Sequence, residues 1–512
     1  MNVGGAFMST VRDMYKTVIY HVKLQGGITR GILSKLGVKQ GCVLSPLLFK
    51  LFIADLPAIF DSTCDPVSLN DKLLSVLMYA DDIVMLSTSE VGLKNCLKKL
   101  NAYCDKWNLT VNTSKTQVMI FNKTGHLFKN YKFYLGETLL KVTDSYTYLG
   151  ITFKPSGSFR EALFNLKDKA RRAYFKFRRH DTADNVKLTF RFFDCLVKPI
   201  LMYCSEVWTI LVNSRLSDSS LLADADSQIY ESLNLTLCKY LLGVRRNTSN
   251  IASRGELGRY PLLCENLLQT YCFKSRISSC PGLVNDAYKE SRKLSEKSWA
   301  NLLETLPQKL ACFDDHGFFK YELLKALYRK HWHARLNKHE QGEENKLEYL
   351  SLVKTDFCIE NYVVMLPLHA RRDFAKLRTS SHPLEIEVAR YMKPRPPREQ
   401  RKCKLCKSDE IEDELHLLLR CSYYSDTRKT LFASFAKLLP FELNDSLECF
   451  KKLFSCYQGF PPATKLVCAL AKSLLDLRKL YFEFVTEPVT KVTVTSKGRE
   501  SKPPIRYADI SW

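Results

Sequence analysis

The sequence lacks any apolar run long enough to cross a bilayer, and its opening stretch "MNVGGAFMSTVRDMYKTVIY" lacks the apolar core of a signal peptide. Its 18 cysteines lack the regular spacing of a small disulfide-stapled scaffold, so most are expected to be reduced thiols. These absences predict an intracellular protein, in the nucleus or the cytoplasm, with no membrane partner. They leave the oligomeric state open.

Positive charge is what the sequence has in excess. Lys and Arg total 77 against 54 Asp and Glu, a formal net charge of +23. Such an excess indicates a polyanionic partner, with nucleic acid as the first choice. A basic protein that is merely soluble would carry the same excess. At 512 residues the chain is long enough for two to four domains with cores of their own.

Two adjacent carboxylates interrupt the apolar run "LMYADDIVML". Strand-like segments lie on both sides, so the pattern predicts a tight β-hairpin with Asp81 and Asp82 at its tip. Two neighbouring acids repel each other, and a hard cation with oxygen ligands, such as Mg²⁺, would neutralise them. The alternative is an acidic turn exposed to solvent. The turn contains no glycine, unlike the Asn-Gly and Asp-Gly turns that hairpins favour, which weakens this alternative.

Helices are predicted on both sides of the hairpin. In "SPLLFKLFIADLPAIF", Ser45 is the expected N-cap, and apolar residues at helical spacing predict one continuous amphipathic helix. In "SEVGLKNCLKKLNAYCDKW" a second apolar stripe predicts another helix. The stretches "LTVN", "VMIF" and "YLGITF" read as strands.

Together these segments resemble the palm of a reverse transcriptase. The ordered set is "GVKQGCVLSPLLFKLFIADL", then Tyr79-Ala80-Asp81-Asp82, "WNLTVNTSKTQVMIF" and "YLGITF". It is most similar to the reverse transcriptases of non-long-terminal-repeat (LINE-type) retrotransposons, over residues 1 to about 155. A weaker likeness continues through "RFFDCLVKPILMYCSEVW", "GELGRYPL" and "AKLRTSSHPLEIEVAR".

The resemblance implies two-metal nucleotidyl transfer that extends a DNA primer on an RNA template with deoxynucleoside triphosphates. Asp81 and Asp82 would hold Mg²⁺. Lys115 matches a basic residue near the triphosphate and is a candidate proton donor, although an ordinary exposed lysine fits the pattern too. Gln40 and Gly41 would lie beside the nascent base pair, where a missing Cβ lets the backbone approach a base.

Two further parts of the resemblance concern substrate contacts. The resemblance also places Tyr79, two residues before Asp81, in the substrate-binding set. Tyr148, Leu149 and Gly150 resemble the hairpin that grips the primer, and a Tyr-Leu pair in the core would explain them as well.

One expected carboxylate is not found. In the resembling family a first catalytic aspartate lies on a strand before the Gln-Gly box. Asp13 is the only acid before Gln40 in this chain, and "STVRDMYKTVIY" reads as a helix. We therefore expect an amino-terminally truncated polymerase that is inactive as it stands. The competing hypothesis is a non-catalytic nucleic-acid-binding remnant with a zinc module, and a third, weaker one is an unrelated basic scaffold protein.

A basic segment follows the palm. "KDKARRAYFKFRR" (167–179) has seven positive residues against one acid, interleaved with aromatic residues. At helical spacing Lys167, Arg171, Tyr174 and Arg178 share a face, which suits a helix lying along a phosphate backbone. A solvated helical face explains the pattern about as well.

One group of cysteines is organised, in "CKLCKSDEIEDELHLLLRC". Cys403 and Cys406 have a knuckle spacing, and His416 and Cys421 are expected on a short helix. A Cys3His set is typical of a closed tetrahedral Zn²⁺ site, and the segment resembles the one placed after the reverse transcriptase in these retroelements. Two turn cysteines beside a core histidine are the alternative. Flanking Arg and Lys residues, Arg398, Arg401, Lys402 and Lys404, favour a nucleic-acid role for this module.

The predicted fold class is α+β: a partial reverse-transcriptase palm with an antiparallel sheet and helices, then a mostly helical thumb and carboxy-terminal region with a small zinc module. The expected domains are the palm (1–155), a thumb-like basic helical region (156–245), a helical carboxy-terminal region (246–392), a basic linker with the zinc module (393–425), a helical segment (426–488) and a disordered tail (489–512).

Overall fold

A computed structural model describes most of the chain. The described residues are 4–34, 37–39, 41–128, 130–179, 182–213, 222, 224–337, 345–438, 444, 446–455 and 460–485. The predicted tail, 489–512, lies outside them, and so does Gln40.

The strands are short and lie in the first third of the chain. In chain order they are β1 (Val18–Tyr20), β2 (Lys23–Leu24), β3 (Gly27–Ile28), β4 (Ile32–Ser34), β5 (Val67–Leu69), β6 (Lys72–Leu74), β7 (Val76–Tyr79), β8 (Asp82–Met85), β9 (Gln117–Val118), β10 (Phe133–Leu135), β11 (Thr138–Val142), β12 (Tyr146–Tyr148) and β13 (Ile151–Phe153).

The helices extend over the whole described chain. They are α1 (Ala6–Lys16), α2 (Ser45–Phe52), α3 (Glu90–Trp107), α4 (Arg160–Arg178), α5 (Val186–Leu196), α6 (Lys198–Leu201), α7 (Ser205–Val212), α8 (Ser232–Leu242), α9 (Asn250–Leu257), α10 (Leu262–Ser279), α11 (Leu283–Lys293), α12 (Trp299–Lys309), α13 (Tyr321–Leu336), α14 (Glu348–Val353), α15 (Asn361–Met365), α16 (Leu368–Arg378), α17 (Glu385–Val388), α18 (Ser425–Ala436), α19 (Leu447–Phe454) and α20 (Pro461–Val485). Single 3₁₀ turns are Leu56–Ile59, Ser62–Cys64, Asp224–Ser227, Ile229–Glu231, Ala389–Tyr391, Arg398–Gln400 and Ser422–Tyr424, and a π-helical turn is His416–Arg420. The mixed α+β class with a mostly helical carboxy-terminal region is confirmed.

No single helix among the described residues is both long enough and apolar enough to cross a bilayer, whereas Val186–Leu201 and Ser205–Val212, bent by 71°, meet these criteria only as a pair.

The chain divides into two compact units, of which the first is residues 1–158 with 280–293. Its strands form small separate ladders within the described residues. Five are two-stranded antiparallel pairs, and one is the three-stranded sheet β10-β11-β9, in which β11 and β9 run parallel. The predicted antiparallel sheet is therefore present as local pairings, because strands of two to five residues pair mainly with their neighbours along the chain.

Helix α3 organises the core of this unit. Ser89 caps it by accepting a hydrogen bond from the Gly92 amide (2.9 Å), and its buried face includes Leu97 and Leu100. That face packs against Phe133 of β10 and against the 3₁₀ turn that starts at Leu56. The second predicted helix is confirmed.

The first predicted helix and the start of the chain differ from the prediction. Helix α2 ends at Phe52, and residues 56–59 form a separate 3₁₀ turn around Pro57, so the continuous helix was wrong. Ser45 is the first helical residue rather than the N-cap, and its hydroxyl donates to the Lys39 carbonyl (2.5 Å). The helix around Asp13 ends at Lys16, and the residues that follow form strand β1.

The second unit, residues 159–279 with 294–512, has one large apolar core built from helices. The three carboxy-terminal segments of the sequence resemblance meet in it. Asp194 of the first segment receives two hydrogen bonds from Arg259 of the second (3.0 and 2.5 Å). Glu256 of the second receives two from Arg378 of the third (both 2.8 Å). Paired guanidinium and carboxylate groups are tolerated inside a core because each satisfies the other.

Candidate active site and metal centre

The predicted hairpin at the two aspartates is present. Strands β7 and β8 pair in antiparallel register, and Tyr79 opposite Asp82 closes the two-residue turn Ala80-Asp81. Ala80 has a φ of 53°, a left-handed conformation in which alanine is uncommon. Asp81 and Asp82 are both exposed, so burial alone does not require a counter-ion at this tip.

A second hairpin lies within electrostatic range of the first. Tyr148 and Ile151 pair across the turn Leu149-Gly150, where φ is positive at both residues (46° and 87°), as in a type I′ turn. Burial, together with the charge of Asp82, raises the pKa of Tyr148. The charge of Asp82 therefore acts on Tyr148, although the two residues lie far apart in sequence.

Lys115 lies next to the second hairpin. Its side chain is exposed in a turn whose Lys115 amide donates to the Asn112 carbonyl (3.1 Å). The hydroxyl of Tyr146, on the same strand as Tyr148, donates to the Lys115 carbonyl (3.4 Å). The sequence analysis did not predict a role for Tyr146. Its position two residues before Tyr148, on the same side of the strand, is the only feature of the sequence that indicates one.

The predicted base-pair contact Gly41 lies in an exposed turn with a φ of 82°. The space where a Cβ would stand is open, so the left-handed backbone, rather than crowding, accounts for glycine here. No hydrogen bond joins Gly41 to the Asp81 hairpin in the part of the chain that is described. Tyr79 is 65% exposed.

The two aspartates have no third protein ligand of the usual kind in the described ranges. Only one set of three or more Cys, His, Asp or Glu residues there brings its ligand atoms within 4.8 Å of one another, and that set is in the second unit. Two adjacent side chains at one tip leave most of a metal's coordination sphere open.

The basic helix differs from the prediction at one residue. Helix α4 begins at Arg160, earlier than predicted, and Tyr174 is fully buried, with ring contacts to Phe177 (5.3 Å) and Phe193 (6.3 Å). Arg171 and Arg178 are exposed, and the Arg178 guanidinium lies 4.2 Å from the Tyr240 ring centroid. Tyr174 therefore lies where the predicted face meets the core, and its ring is not available to a phosphate backbone.

The predicted cysteine and histidine ligands converge. Cys403, Cys406, His416 and Cys421 are all buried, with their ligand atoms within 4.8 Å of one another. The Sγ atoms of Cys403 and Cys421 are 3.9 Å apart, and Cys406 Sγ is 3.3 Å from His416 Nε2.

Local backbone structure sets this geometry. The Cys403 amide donates to the Glu410 carbonyl (2.9 Å), which closes the loop that carries Cys406. The Cys421 amide donates to the His416 carbonyl (2.8 Å), an i to i+5 bond that winds the turn between these ligands as a π-helix.

Glu410 completes the cluster, and sequence reasoning missed it. Its carboxylate lies 2.7 Å from His416 Nδ1, which leaves Nε2 facing the cysteines. In the sequence, the only signal for Glu410 is its position as an acidic residue between Cys406 and His416.

Hydrogen bonds within the cluster shift the pKa values of its ligands. A hydrogen bond to Cys421 lowers the pKa of Cys403 to about 3 and raises that of Cys421. Burial opposes charge on His416, but its bonds to Cys403 and Glu410 outweigh burial and raise its pKa to about 9.

The cluster is part of the second unit's core rather than a separate module. Three consecutive acidic residues fix its ligand loop. Glu412 accepts two hydrogen bonds from Arg478 of α20 (both 2.8 Å). Asp413 accepts a hydrogen bond from the Tyr349 hydroxyl (2.6 Å), and the Glu414 carboxylate lies 2.9 Å from His382 Nε2.

The four cations that flank the ligands also contact acceptor groups of the protein. Arg398 pairs with Glu348 (2.6 Å), Lys402 with Asp409 (2.5 Å) and Lys404 with Glu385 (2.9 Å). Arg401 is buried and donates to the carbonyls of Pro396 and Ile386. These contacts hold the segment in place, so the flanking charges do not by themselves favour nucleic acid.

Residues 5–153 match the family described as reverse transcriptase (RNA-dependent DNA polymerase). This part of the chain is a reverse-transcriptase domain. It contains both hairpins, the Lys115 turn and the described part of the Gln-Gly box.

The chain is similar to polymerases of non-LTR retrotransposons. The RNA-directed DNA polymerase from mobile element jockey of Drosophila funebris is 29% identical over 191 residues, covering 35% of this chain and 20% of that protein. The probable RNA-directed DNA polymerase from transposon BS of Drosophila melanogaster is 31% identical over 192 residues, with 35% and 20% covered. The Pol polyprotein from type-1 retrotransposable element R2 of Popillia japonica is 26% identical over 166 residues, with 31% and 27% covered. The chain thus spans about a fifth to a quarter of these relatives' lengths.

Proposed function

We propose that the reverse-transcriptase domain is the palm of an RNA-directed DNA polymerase that extends a DNA primer on an RNA template. The observation that carries this proposal is the exposed pair Asp81 and Asp82 at a hairpin tip, inside the segment that matches the family. Both relatives named as RNA-directed DNA polymerases support the same chemistry.

The donor set at the tip fits Mg²⁺. Carboxylate oxygens are its preferred protein ligands, and in the described structure no hydrogen bond occupies the Asp81 or Asp82 carboxylate. Such an ion, when bound, lowers the pKa of a primer hydroxyl and neutralises charge on the triphosphate. Asp81 and Asp82 would hold it, and a further carboxylate from another segment would complete the site.

The remaining residues would position substrates. Lys115, exposed beside the Tyr146 hydroxyl, would neutralise the triphosphate and donate a proton to pyrophosphate. Gln40, Gly41 and Tyr79 would contact the nascent base pair, and the turn at Tyr148, Leu149 and Gly150 would hold the primer end. In this proposal residues 156–245 act as the thumb-like region, with Arg171 and Arg178 on backbone phosphate.

Primer extension tests the polymerase proposal. The chain is assayed on a primed RNA, alone and joined to the segment that precedes the Gln-Gly box in a jockey-type relative. Magnesium-dependent extension by the joined protein is expected, with no extension after magnesium is replaced by calcium. No extension by the joined protein, despite intact folding and RNA binding, would favour the non-catalytic nucleic-acid-binding alternative, which the exposed cations of α4 support independently.

We also propose that Cys403, Cys406, His416 and Cys421 bind one structural Zn²⁺. Three thiolates and one imidazole in a buried, convergent set are the donors that this ion prefers. Because the ligand loop is tied to Arg478, metal removal should also loosen α20.

Zinc content and hydrogen exchange of the full chain test this second proposal. The wild type should hold about one zinc per chain, Cys421→Ser should lose it, and a chelator should reduce amide protection across α20. Cys272→Ser, an exposed cysteine of the same unit, is the matched control. Full zinc content in the Cys421→Ser variant would overturn the ligand assignment.

A further inference from the structure

Helix α4 exposes two aromatic rings while burying two others. Tyr174 and Phe177 are buried in the core, whereas Phe164 and Phe175 are 44% and 42% exposed. Eleven residues separate the exposed rings, which places them on the same side of the helix, about 16 Å apart at 1.5 Å per residue. Two exposed rings on one face of a basic helix are available for contact with another molecule.

Each exposed ring is paired with an arginine one turn earlier. The Arg160 guanidinium lies 5.9 Å from the Phe164 ring centroid, and that of Arg171 lies 5.7 Å from the Phe175 centroid. Each guanidinium lies over one face of its ring, and both aromatic side chains nevertheless remain more than 40% exposed. The repeated unit is therefore a flat apolar face next to a fixed positive charge.

The rest of the helix adds positive charge. Its 19 residues include seven Lys or Arg and two acids. Arg171, Arg172 and Lys176 are exposed, and none of them forms an ion pair with a described residue. A polyanion can therefore bind here without displacing a carboxylate from these three cations.

We propose that Phe164 and Phe175 are stacking platforms for two bases of a single-stranded nucleic acid, whose phosphates bind the cations of α4. This inference rests on the proposed nucleic-acid function and specifies the site and the form of the strand. In a duplex the base faces are stacked on one another and cannot reach a protein ring, whereas an unpaired strand offers them. At the stacked spacing of 3.4 Å per nucleotide, the 16 Å between the rings corresponds to about five nucleotides.

The test measures binding by the full chain without magnesium or nucleotides, so that it is independent of polymerase activity. The probe is a labelled, unstructured RNA of about 12 nucleotides, compared with a duplex of the same sequence. The double variant Phe164→Leu/Phe175→Leu keeps apolar bulk but removes both ring faces. It should weaken single-strand binding about tenfold or more, while the salt dependence stays the same because every cation remains.

Two matched variants sharpen the test. Phe164→Tyr/Phe175→Tyr retains the rings and should bind like the wild type, which separates stacking from misfolding. Phe192→Leu removes a ring of α5 that is 37% exposed, and should leave the affinity unchanged. Equal affinity of the Leu double variant and the wild type would overturn the proposal. An equal loss of duplex affinity in the Leu double variant, or equal competition by polyglutamate, would show that this surface does not select unpaired bases and would also overturn the proposal.

Discussion

Arg378 and Glu256 form a buried, bidentate ion pair between residues 122 positions apart in the chain. Arg378 Nε lies 2.8 Å from Glu256 Oε2, and Arg378 Nη2 lies 2.8 Å from Oε1. Tyr362 adds a hydrogen bond from its hydroxyl to the same carboxylate (2.5 Å). Burial opposes ionisation of Glu256, but the charge of Arg378 outweighs it and holds the pKa of the carboxyl below its ordinary value.

This pair predicts a pH-dependent stability difference. Glu256→Gln removes the bidentate partner of the buried Arg378 and leaves it only the longer contact to Glu360 (3.4 Å), so unfolding of the second unit should require about 3 kcal/mol less at neutral pH. Because the folded pKa of Glu256 is lowered, its ionisation stabilises the native state above the ordinary pKa of 4.5 and stops doing so as pH falls through the lower folded value.

Urea unfolding of the wild type and the variant at several pH values measures this difference. The gap between the two proteins should be largest near neutrality and shrink in acid. A gap that stays constant down to acid pH would show that Glu256 carries no charge in the folded protein. Glu296→Gln, at a surface position, is a control that should change little.

A second prediction concerns the base of the aspartate hairpin. A Cβ at Gly92 would lie 2.5 Å from both the Cys64 carbonyl oxygen and the Ser87 hydroxyl. Gly92→Ala should therefore shift the start of α3 away from the residues that follow β8, and destabilise the first unit by about 1–3 kcal/mol.

Gly27→Ala, where no atom lies within 4 Å of the added Cβ, is the matched control for thermal unfolding. Equal melting temperatures for the two alanine variants would contradict the close packing at Gly92.

A third prediction concerns Glu410, which contacts His416 on the side away from the cysteines. A carboxylate in this position orients the imidazole toward a metal and makes it a better ligand. Glu410→Gln should weaken zinc affinity about 10- to 100-fold while leaving one ion per chain at saturation.

Competition with a chromophoric chelator measures that affinity. Asp409→Asn, which removes the exposed partner of Lys402 from the same loop, should leave it unchanged. If both variants behave alike, the contact between Glu410 and His416 does not act on the metal site.

Local patterns in the sequence predicted local structure. Short apolar runs on both sides of Asp81 and Asp82 predicted their hairpin, and an apolar stripe predicted α3, because both depend on neighbours in the chain. Ligand spacing predicted the Cys403 cluster in the same way. The predicted helix through residues 45–60 was wrong because α2 ends at Phe52 and a separate 3₁₀ turn forms around Pro57, whose ring clashes with a continuing helix.

Relationships between distant residues could not be predicted from these patterns. Nothing near Glu256 in sequence indicates Arg378, and nothing near Arg478 indicates Glu412. The same limit applies to charge: Arg401 and Arg171 look alike in sequence, yet Arg401 is buried against carbonyls and Arg171 is exposed. Only the packing decides which cation is free for phosphate.

We propose that the Asp81 hairpin is the metal-binding tip of a polymerase palm. The most direct measurement is magnesium-dependent primer extension by the protein joined to a relative's preceding segment, comparing Asp81→Asn with Asp71→Asn. Asp71 lies in the two-residue turn of the neighbouring β5–β6 hairpin, so both variants remove one exposed charge from similar turns. We predict that Asp81→Asn abolishes extension and that Asp71→Asn retains it. Equal activity of the two variants would contradict this assignment of the catalytic carboxylates.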